Sequence, residues 1–332
     1  MTRRCLVLQP IHGVGLELLR QRGIDAIAPA PGHGALLSLA ASVDALITRN
    51  ATIDRPMMEA GQRLAAIGCH GSGHNSIALA AASACGIPVV NTPGANAHSV
   101  AEHAIALMLA VARRIPQADA AGRARDLRFK FENDFMQLRG RTLGLAGWGH
   151  TARATAEIAA AGLGMRVLAW RRGHADAAPR SDVVFTEDLA VLLAEAHVLS
   201  LHLPLTPQTR HIIGRGALAA MKRGAILINT GRGGLIDEDA LLAALQSKQL
   251  FGAGLDVLAH EEGGETHENL LASPQVVITP HVAGTTETAL QATAIAICDQ
   301  VADILEGRRP AHLVNPDVWS RRRLPVPVAP IA

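Results

Sequence analysis

The segment from Arg141 to Arg172, RTLGLAGWGHTARATAEIAAAGLGMRVLAWRR, constrains the fold more than any other part of the chain. A short apolar run, Leu143 to Ala146, leads into the turn Gly147-Trp148-Gly149-His150-Thr151-Ala152. An alanine-rich helical run reaches Ala161, Gly162 and Gly164 act as stop signals, and Val167 to Trp170 make a second apolar strand. A strand, turn, helix and strand at this spacing form a βαβ unit. Each small residue has a mechanical reason: Gly147 permits the tight turn, Gly149 lets the backbone approach a pyrophosphate, and Ala152 lets helix and sheet pack closely. The helix N-terminus then offers free amides and a positive dipole end to phosphates. A lone G-x-G-x-x-[GA] is weak evidence, but flanked by two strands and a helix it is a specific dinucleotide signature.

The end of the second strand carries more information. An acidic residue normally stands there to accept from the ribose hydroxyls, but this chain has Arg171 and Arg172, with His174 close behind. Arginine suits a 2′-phosphate and favours NADP over NAD. The alternative, solvated surface arginines with NAD as cofactor, stays open on these residues alone.

At 332 residues the chain is long enough for two domains. Nearly half the residues are apolar (49%), yet aromatics make up only 2% and tyrosine is absent, so the core must be built from Ala, Leu, Val and Ile. That palette suits helices packed on parallel strands. A net charge of +2 gives no global pull towards nucleic acid or a membrane surface. Cys5, Cys69, Cys85 and Cys298 show no C-x-x-C pairing and read as reduced thiols of a cytoplasmic protein. The apolar run after Arg3 and Arg4 is too short for a signal-peptide core and reads as a first strand. The tail SRRRLPVPVAPIA reads as an extended end.

Taken in order, short apolar runs at Cys5 to Leu8, Ala45 to Ile47, Ala65 to Ile67 and Val89 to Val90 alternate with helical segments, which predicts a parallel sheet with crossover helices. His70-Gly71-Ser72-Gly73-His74 follows the third of these strands. A Gly-rich loop at the carboxyl end of a parallel strand is a ligand position, so the amides of Gly71, Ser72 and Gly73 are candidates to hold a substrate carboxylate. A metal pair is disfavoured there, because the glycines break the helical spacing such histidines use. Ser99 and Glu102 have capping-box spacing ahead of a helix with Val100, Ala104, Leu107, Met108 and Val111 on one face.

Further strands are predicted at Val183 to Phe185, Val198 to Leu203, Ala225 to Asn229, Gly252 to Leu255 and Val276 to Ile278. Their carboxyl ends should line one crevice, where Pro204, Thr230, Arg232, Asp256 and His281 stand. Hydride transfer to a 2-oxo acid needs a cation to hold the carboxylate and polarise the carbonyl, and an acid to supply a proton. Arg232 offers a bidentate fork and His281 an imidazole, whose protonated form a neighbouring carboxylate favours. Glu261 and Glu262 are the candidates for that carboxylate, although the acidic stretch around them also reads as a solvated loop.

With these residues in view, the chain resembles the D-isomer-specific 2-hydroxyacid dehydrogenases, the family of phosphoglycerate, glyoxylate/hydroxypyruvate and D-lactate dehydrogenases. The motifs are the GWGHTA turn, HLPLTPQTR at 202 to 210, MKRGAILINTGRGGLIDEDAL at 221 to 241, GLDV at 254 to 257 and TPHVAG at 279 to 284. The resemblance implies an α/β fold with a Rossmann-type dinucleotide-binding domain, 101–284, inserted into a flavodoxin-like substrate domain, 1–100 and 285–332. It implies Arg232 as the substrate-binding arginine, His281 as proton donor and Glu261 as the glutamate paired with it. Cofactor contacts are implied at Gly147, Trp148, Gly149, His150, Thr151, Arg171, Arg172, Pro204, Thr209, Thr230, Gly231, Asp256 and Gly284. Members are typically dimers.

Three departures stand out. Glu262 replaces the proline usual after the catalytic glutamate, Asn75-Ser76-Ile77-Ala78 replaces D-N-x-D after the substrate loop, and Arg171 replaces an acidic residue. The last supports NADP, as in members resembling glyoxylate and hydroxypyruvate reductases. No regulatory domain is expected after Asn315, and so no serine feedback. The expected function is a cytoplasmic, metal-free NAD(P)-dependent oxidoreductase of small 2-oxo or 2-hydroxy acids. The rivals are a dinucleotide-sensing binding protein of the same fold and, more closely, formate dehydrogenase, which pairs its histidine with glutamine.

Overall fold

Runs of Val, Ile, Leu and Ala closed by Gly, Pro or polar residues become short parallel strands buried on both faces, which is why they read as continuous apolar runs rather than alternating ones. The computed structural model describes residues 2–27, 33–171, 182–262 and 267–325. The chain divides into two compact units, Met1–Asn96 with Thr285–Ala332, and Ala97–Gly284.

The first unit runs β1 (Arg3–Val7), α1 (Gly13–Gln21), β2 (Ile24–Ile27), α2 (His33–Ala40), β3 (Ala45–Thr48), α3 (Arg55–Ala60), β4 (Ala66–Cys69), α4 (Leu79–Ala84) and β5 (Val89–Val90). Among the described residues these strands form a parallel sheet of order β2-β1-β3-β4-β5, the flavodoxin-like winding. Strand β2 has no counterpart among the expected strands. It is a four-residue edge strand, IDAI, whose Asp25 is exposed, so it lacks a continuous apolar signal.

The second unit opens with α5 (Ala97–Ala112), α6 (Ile115–Arg123) and α7 (Phe129–Glu132). It continues through β6 (Thr142–Ala146), α8 (His150–Leu163), β7 (Arg166–Trp170), β8 (Val183–Thr186), α9 (Leu189–Glu195), β9 (Val198–Leu201) and α10 (Arg215–Ala220). It ends with β10 (Ala225–Asn229), α11 (Glu238–Gln246), β11 (Leu250–Leu255), α12 (Glu268–Leu271) and β12 (Val276–Ile278). The sheet order is β12-β11-β10-β9-β6-β7-β8, all parallel, so winding reverses between β6 and β9. That is the doubly wound Rossmann arrangement, and ligands bind beyond the strands' carboxyl ends at such a switch point.

Alternate residues of each strand feed the two faces. Leu143, Leu145, Ile226 and Ile228 pack under α5 and α8, while Ala225 and Leu227 pack with Leu192, Leu218 and Leu241 of α9, α10 and α11. A side chain at Gly252 or Gly254 would put its Cβ 2.7 Å from Val111 or 2.9 Å from Leu107, so these glycines let α5 lie close on β11. The capping-box expectation at Ser99 and Glu102 is corrected here. Helix α5 begins at Ala97, and the buried Ser99 hydroxyl donates to the Ala283 carbonyl at 2.8 Å instead of capping its own helix.

After this unit, α13 (Glu287–Leu305) returns to the first and packs on β4. Gly68 makes room for it, since a Cβ there would stand 2.9 Å from Ile297 and Val301. No helix among the described residues is long and apolar enough to cross a membrane.

Candidate active site

The turn after β6 is closed from both sides of the switch point. Gly147 has φ +109° and donates to the Trp170 carbonyl, and a Cβ there would lie 2.4 Å from the carbonyl oxygen of His202. Only glycine fits that position. Gly149 is the N-cap of α8, is exposed and makes no side-chain cap; a Cβ on it would meet nothing within 4 Å. The first-turn amides of His150, Thr151 and Ala152 therefore begin a helix whose N-cap residue supplies no side-chain cap, while Ala152 is fully buried against the sheet.

At the end of β7 the amide of Arg171 donates to Thr186, and its guanidinium lies 4.4 Å from the Phe185 ring centroid. Phe185 meets Trp148 edge-to-face at 5.0 Å, and Arg153 of α8 lies 6.0 Å from the opposite partner, Trp148. Arg172 lies outside the described residues.

After β9, His202 is half-buried beside Ser200, with Nε2 2.9 Å from its hydroxyl, and desolvation of the ring pushes the imidazole pKa down to about 4. Thr209 is fully buried; its hydroxyl donates to the Pro204 carbonyl at 2.7 Å and accepts from the Thr206 amide at 2.8 Å. That hydroxyl shapes the Pro204 loop from within.

Asn229 ends β10 fully buried and staples the next turn, accepting from Gly231 N at 3.0 Å and donating to Arg232 O at 2.8 Å. Thr230 carries a buried hydroxyl with no hydrogen-bond partner among the described residues. A buried orphan of this kind is costly unless a ligand or water completes it. Arg232 is held extended and donates from Nη1 to Gly231 O at 2.7 Å. Next to it Gly233 is packed against backbone: a Cβ would stand 2.1 Å from the Leu258 carbonyl carbon. Glu238, buried at the start of α11, accepts from Ala259 N at 2.7 Å. The arginine turn and the 258–261 segment are thereby locked together.

Asp256 follows β11 directly, with its side chain fully buried. Its carboxylate accepts from Thr279 Oγ1 at 2.6 Å and from the amides of Val282 and Ala283 at 2.9 Å each. His103 of α5 lies 2.9 Å from Thr279 Oγ1 and 3.4 Å from Asp256. Because the threonine proton goes to the carboxylate, His103 Nε2 is the donor to Thr279. The sequence places Asp256 among cofactor contacts, and in the structure its carboxylate builds the 279–283 loop, up to the neighbour of Gly284. That loop holds His281 at φ +54°, a conformation that the hydrogen bond donated by the His281 amide to the Asp256 carbonyl helps impose.

His281 Nδ1 lies 2.6 Å from Glu261 Oε2, and Glu261 Oε1 accepts from Leu258 N at 3.0 Å. Burial would raise the Glu261 pKa, but the bonds from His281 and Leu258 and the charges of His281 and His260 outweigh it and hold it below the ordinary carboxylate value. An ionised carboxylate only accepts, so Nδ1 carries the proton of this bond and Nε2 is the nitrogen available for proton transfer.

In the first unit, the Gly71–Gly73 loop is stapled by its neighbours. Gly71, at φ +140°, donates to Thr92 Oγ1, Ser72 O accepts from Asn91 Nδ2 at 2.7 Å, and Gly73 O accepts from Cys69 Sγ at 2.8 Å. Burial, and then the Arg49 charge, push His70 down to about 4.

Sequence reasoning missed Asn229, Glu238, His103 and Phe185. Asn229 and Glu238 carried a faint signal, a polar residue ending an apolar strand and an acid opening a helix; His103 and Phe185 carried none, since their partners are distant in sequence.

The exposed Gly149, the uncapped α8, the orphan Thr230 hydroxyl and the arginine at the end of β7 fit a dinucleotide, and they stand at the carboxyl ends of β6, β10 and β7 of one parallel sheet. Together with an acid–base pair on the next strand ends, this is the layout of a pyridine-nucleotide dehydrogenase. The chain belongs to the D-isomer-specific 2-hydroxyacid dehydrogenases: residues 105–283 match that family's NAD-binding domain. It is 36% identical to a D-3-phosphoglycerate dehydrogenase of Methanocaldococcus jannaschii over 94% of this chain, but spans only 59% of that protein's length. It is 37% identical to a glyoxylate reductase of Thermococcus litoralis, covering 87% of this chain and 88% of that one. Among solved structures, an NADPH-dependent glyoxylate/hydroxypyruvate reductase of Sinorhizobium meliloti, in complex with NADP and malonate, superposes with a TM-score of 0.83 at 28% identity, over 98% of this chain and all of the other.

Proposed function

We propose that the protein reduces small 2-oxo acids of the glyoxylate and hydroxypyruvate type to 2-hydroxy acids, with NADPH as the favoured reductant. The observation that carries this reading is the 2.6 Å contact of Glu261 with His281 beside the turn that presents Arg232. Bound NADPH supplies the hydride to C2. Arg232 holds the substrate carboxylate and polarises the carbonyl; the amides of Gly71, Ser72 and Gly73 in the first unit are proposed, in their own right, as a carboxylate-binding loop. The imidazolium of His281 gives its Nε2 proton to the carbonyl oxygen as the alkoxide forms, and the neutral ring keeps its Nδ1 proton on Glu261. Atoms balance: one hydride and one proton convert the oxo acid to the hydroxy acid.

Cofactor contacts in this reading come from Gly147 to Thr151, Pro204, Thr230, Gly231 and Gly284, with Arg171 on the 2′-phosphate. Asp256 and Thr209 act indirectly, by shaping the loops beside it. We further read the protein as a cytoplasmic homodimer. The free state of all four cysteines supports the compartment. Support for the dimer comes from the exposed apolar side chains that gather on and around α5 to α7, Leu109, Ile115, Leu127, Phe131 and Phe135.

The test is oxidation of NADPH and NADH by the purified protein with glyoxylate, hydroxypyruvate, phosphohydroxypyruvate and pyruvate in parallel. Turnover of glyoxylate or hydroxypyruvate, faster with NADPH, is the expected result. Tight cofactor binding with no turnover of any of the four would favour a dinucleotide-sensing protein.

A further inference from the structure

The chain has three tryptophans, five phenylalanines and no tyrosine. With so few rings, a phenylalanine beneath one arginine with a tryptophan edge-to-face against it is not what an Ala/Leu/Val core would supply by default. The register shows how the sheet builds it. Strands β7 and β8 pair Ala169 with Phe185, and Arg171 stands two residues beyond Ala169, so the Arg171 and Phe185 side chains leave the same face. The Arg171 amide bond to Thr186 extends the pairing past the strand end and fixes where the side chain starts. Ala169 is fully buried and small, which leaves that face open for the guanidinium to lie 4.4 Å from the Phe185 centroid. Trp148, the residue between the two turn glycines, holds the Phe185 ring from the side at 5.0 Å and 86°. Both rings are half-buried and pack on the core under α5 and α8.

From this geometry we propose that Phe185 is a specificity-determining positioning residue: its ring, buttressed by Trp148, sets the plane of the Arg171 guanidinium for a ligand bearing a 2′-phosphomonoester. A free arginine loses side-chain entropy when it takes hold of a phosphate; one already resting on a ring has lost part of it beforehand. A guanidinium with one face on an aromatic ring also keeps its donors in the plane of the fork, where a phosphate meets them two at a time. The ring thus acts on the phosphorylated dinucleotide through Arg171 and has no comparable effect on the unphosphorylated one. The inference rests on the reading of Arg171 as the 2′-phosphate ligand, and the experiment separates the two.

Binding of NADP⁺ and NAD⁺ to the intact protein is measured calorimetrically for the wild type and for Phe185→Leu, Phe185→Tyr and Arg171→Asp. Phe185→Leu should weaken NADP⁺ by roughly three- to tenfold, with a much smaller change for NAD⁺, and Phe185→Tyr should restore most of the loss. If Phe185→Leu does not fold, Phe185→Met, with a similar apolar volume and no ring, takes its place. Equal losses for both dinucleotides would make Phe185 a purely structural residue and overturn the proposal. An unchanged NADP⁺ affinity in Phe185→Leu, with a collapse in Arg171→Asp, overturns it too but leaves the Arg171 reading standing. If Arg171→Asp leaves the NADP⁺ to NAD⁺ ratio unchanged, the Arg171 reading and this inference both fail.

Discussion

Glu261 Oε2 and His281 Nδ1 lie 2.6 Å apart across 20 residues of sequence, and each is held by a different backbone device. Glu261 is turned by its second oxygen onto Leu258 N; His281 sits in a left-handed conformation on a loop pinned by the Asp256 carboxylate. His281→Ala should lower kcat by about 10²- to 10⁴-fold while leaving dinucleotide binding close to wild type. Turnover near wild type would remove the imidazole from its proposed role. Glu261→Gln keeps a hydrogen-bonding side chain without the charge, and its kcat should fall, by less than in His281→Ala, because the proton-donating ring loses its ionic partner. A Glu261→Gln kcat equal to that of the wild type would count against the pairing.

Gly233 is the point where the arginine turn meets the segment carrying Glu261. Gly233→Ala puts a Cβ 2.1 Å from a backbone carbonyl carbon, which no rotamer change relieves. The expected result is a loss of about 1–3 kcal/mol or more of stability, together with a fall in kcat/KM as Arg232 and Glu261 move apart. Urea melts and steady-state rates on the same preparation measure both.

Acid should destabilise the fold before its carboxylates are titrated. His202 has an ordinary value of 6.5 that burial takes down to about 4, so between these values the unfolded chain binds a proton that the folded chain does not. Stability contributed by the neutral ring is full above pH 6.5 and is lost as pH falls towards 4, a change on the order of 3 kcal/mol. His70 behaves in the same sense in the first unit. Glu261 has the opposite shift, with its contribution present above the unfolded carboxylate value and lost only as pH falls through its depressed folded value. Thermal melts from pH 7 to 4.5 should therefore slope downward, and His202→Gln should flatten the slope. A slope that is unaltered in this variant would assign it to other groups.

The exposed apolar group around α5 to α7 should be covered in solution by a second copy. Leu127 and Phe131, four residues apart, are 78% and 81% exposed, apolar area that a second copy would remove from water. Light scattering should give about twice the 34.8 kDa chain mass for the wild type, and Phe131→Glu combined with Leu127→Glu should shift it towards the single chain. A wild-type protein that is monomeric at micromolar concentration would refute the dimer.

Local rules made much of the architecture readable from residue order. The glycine turn between two apolar runs, the apolar strands bounded by polar or Gly/Pro punctuation, and the helix at α5 all follow from short-range periodicity and φ requirements, as the structure of each element bears out. The residues alone left Glu261 and Glu262 both open as the partner of His281, and only the resemblance to the family singled out Glu261. What only the tertiary structure decided is how side chains far apart in sequence divide their hydrogen bonds. Strand β2 formed because a neighbour was available to pair with, and Ser99 left the helix-capping role because the Ala283 carbonyl, 184 residues away, needed a donor. Asp256 became the anchor of the histidine loop because three donors converge on a fully buried carboxylate that must be satisfied. Phe185 came under Arg171 through strand register alone. Periodicity is a property of neighbours along the chain, whereas the satisfaction of buried polar groups is a property of neighbours in space.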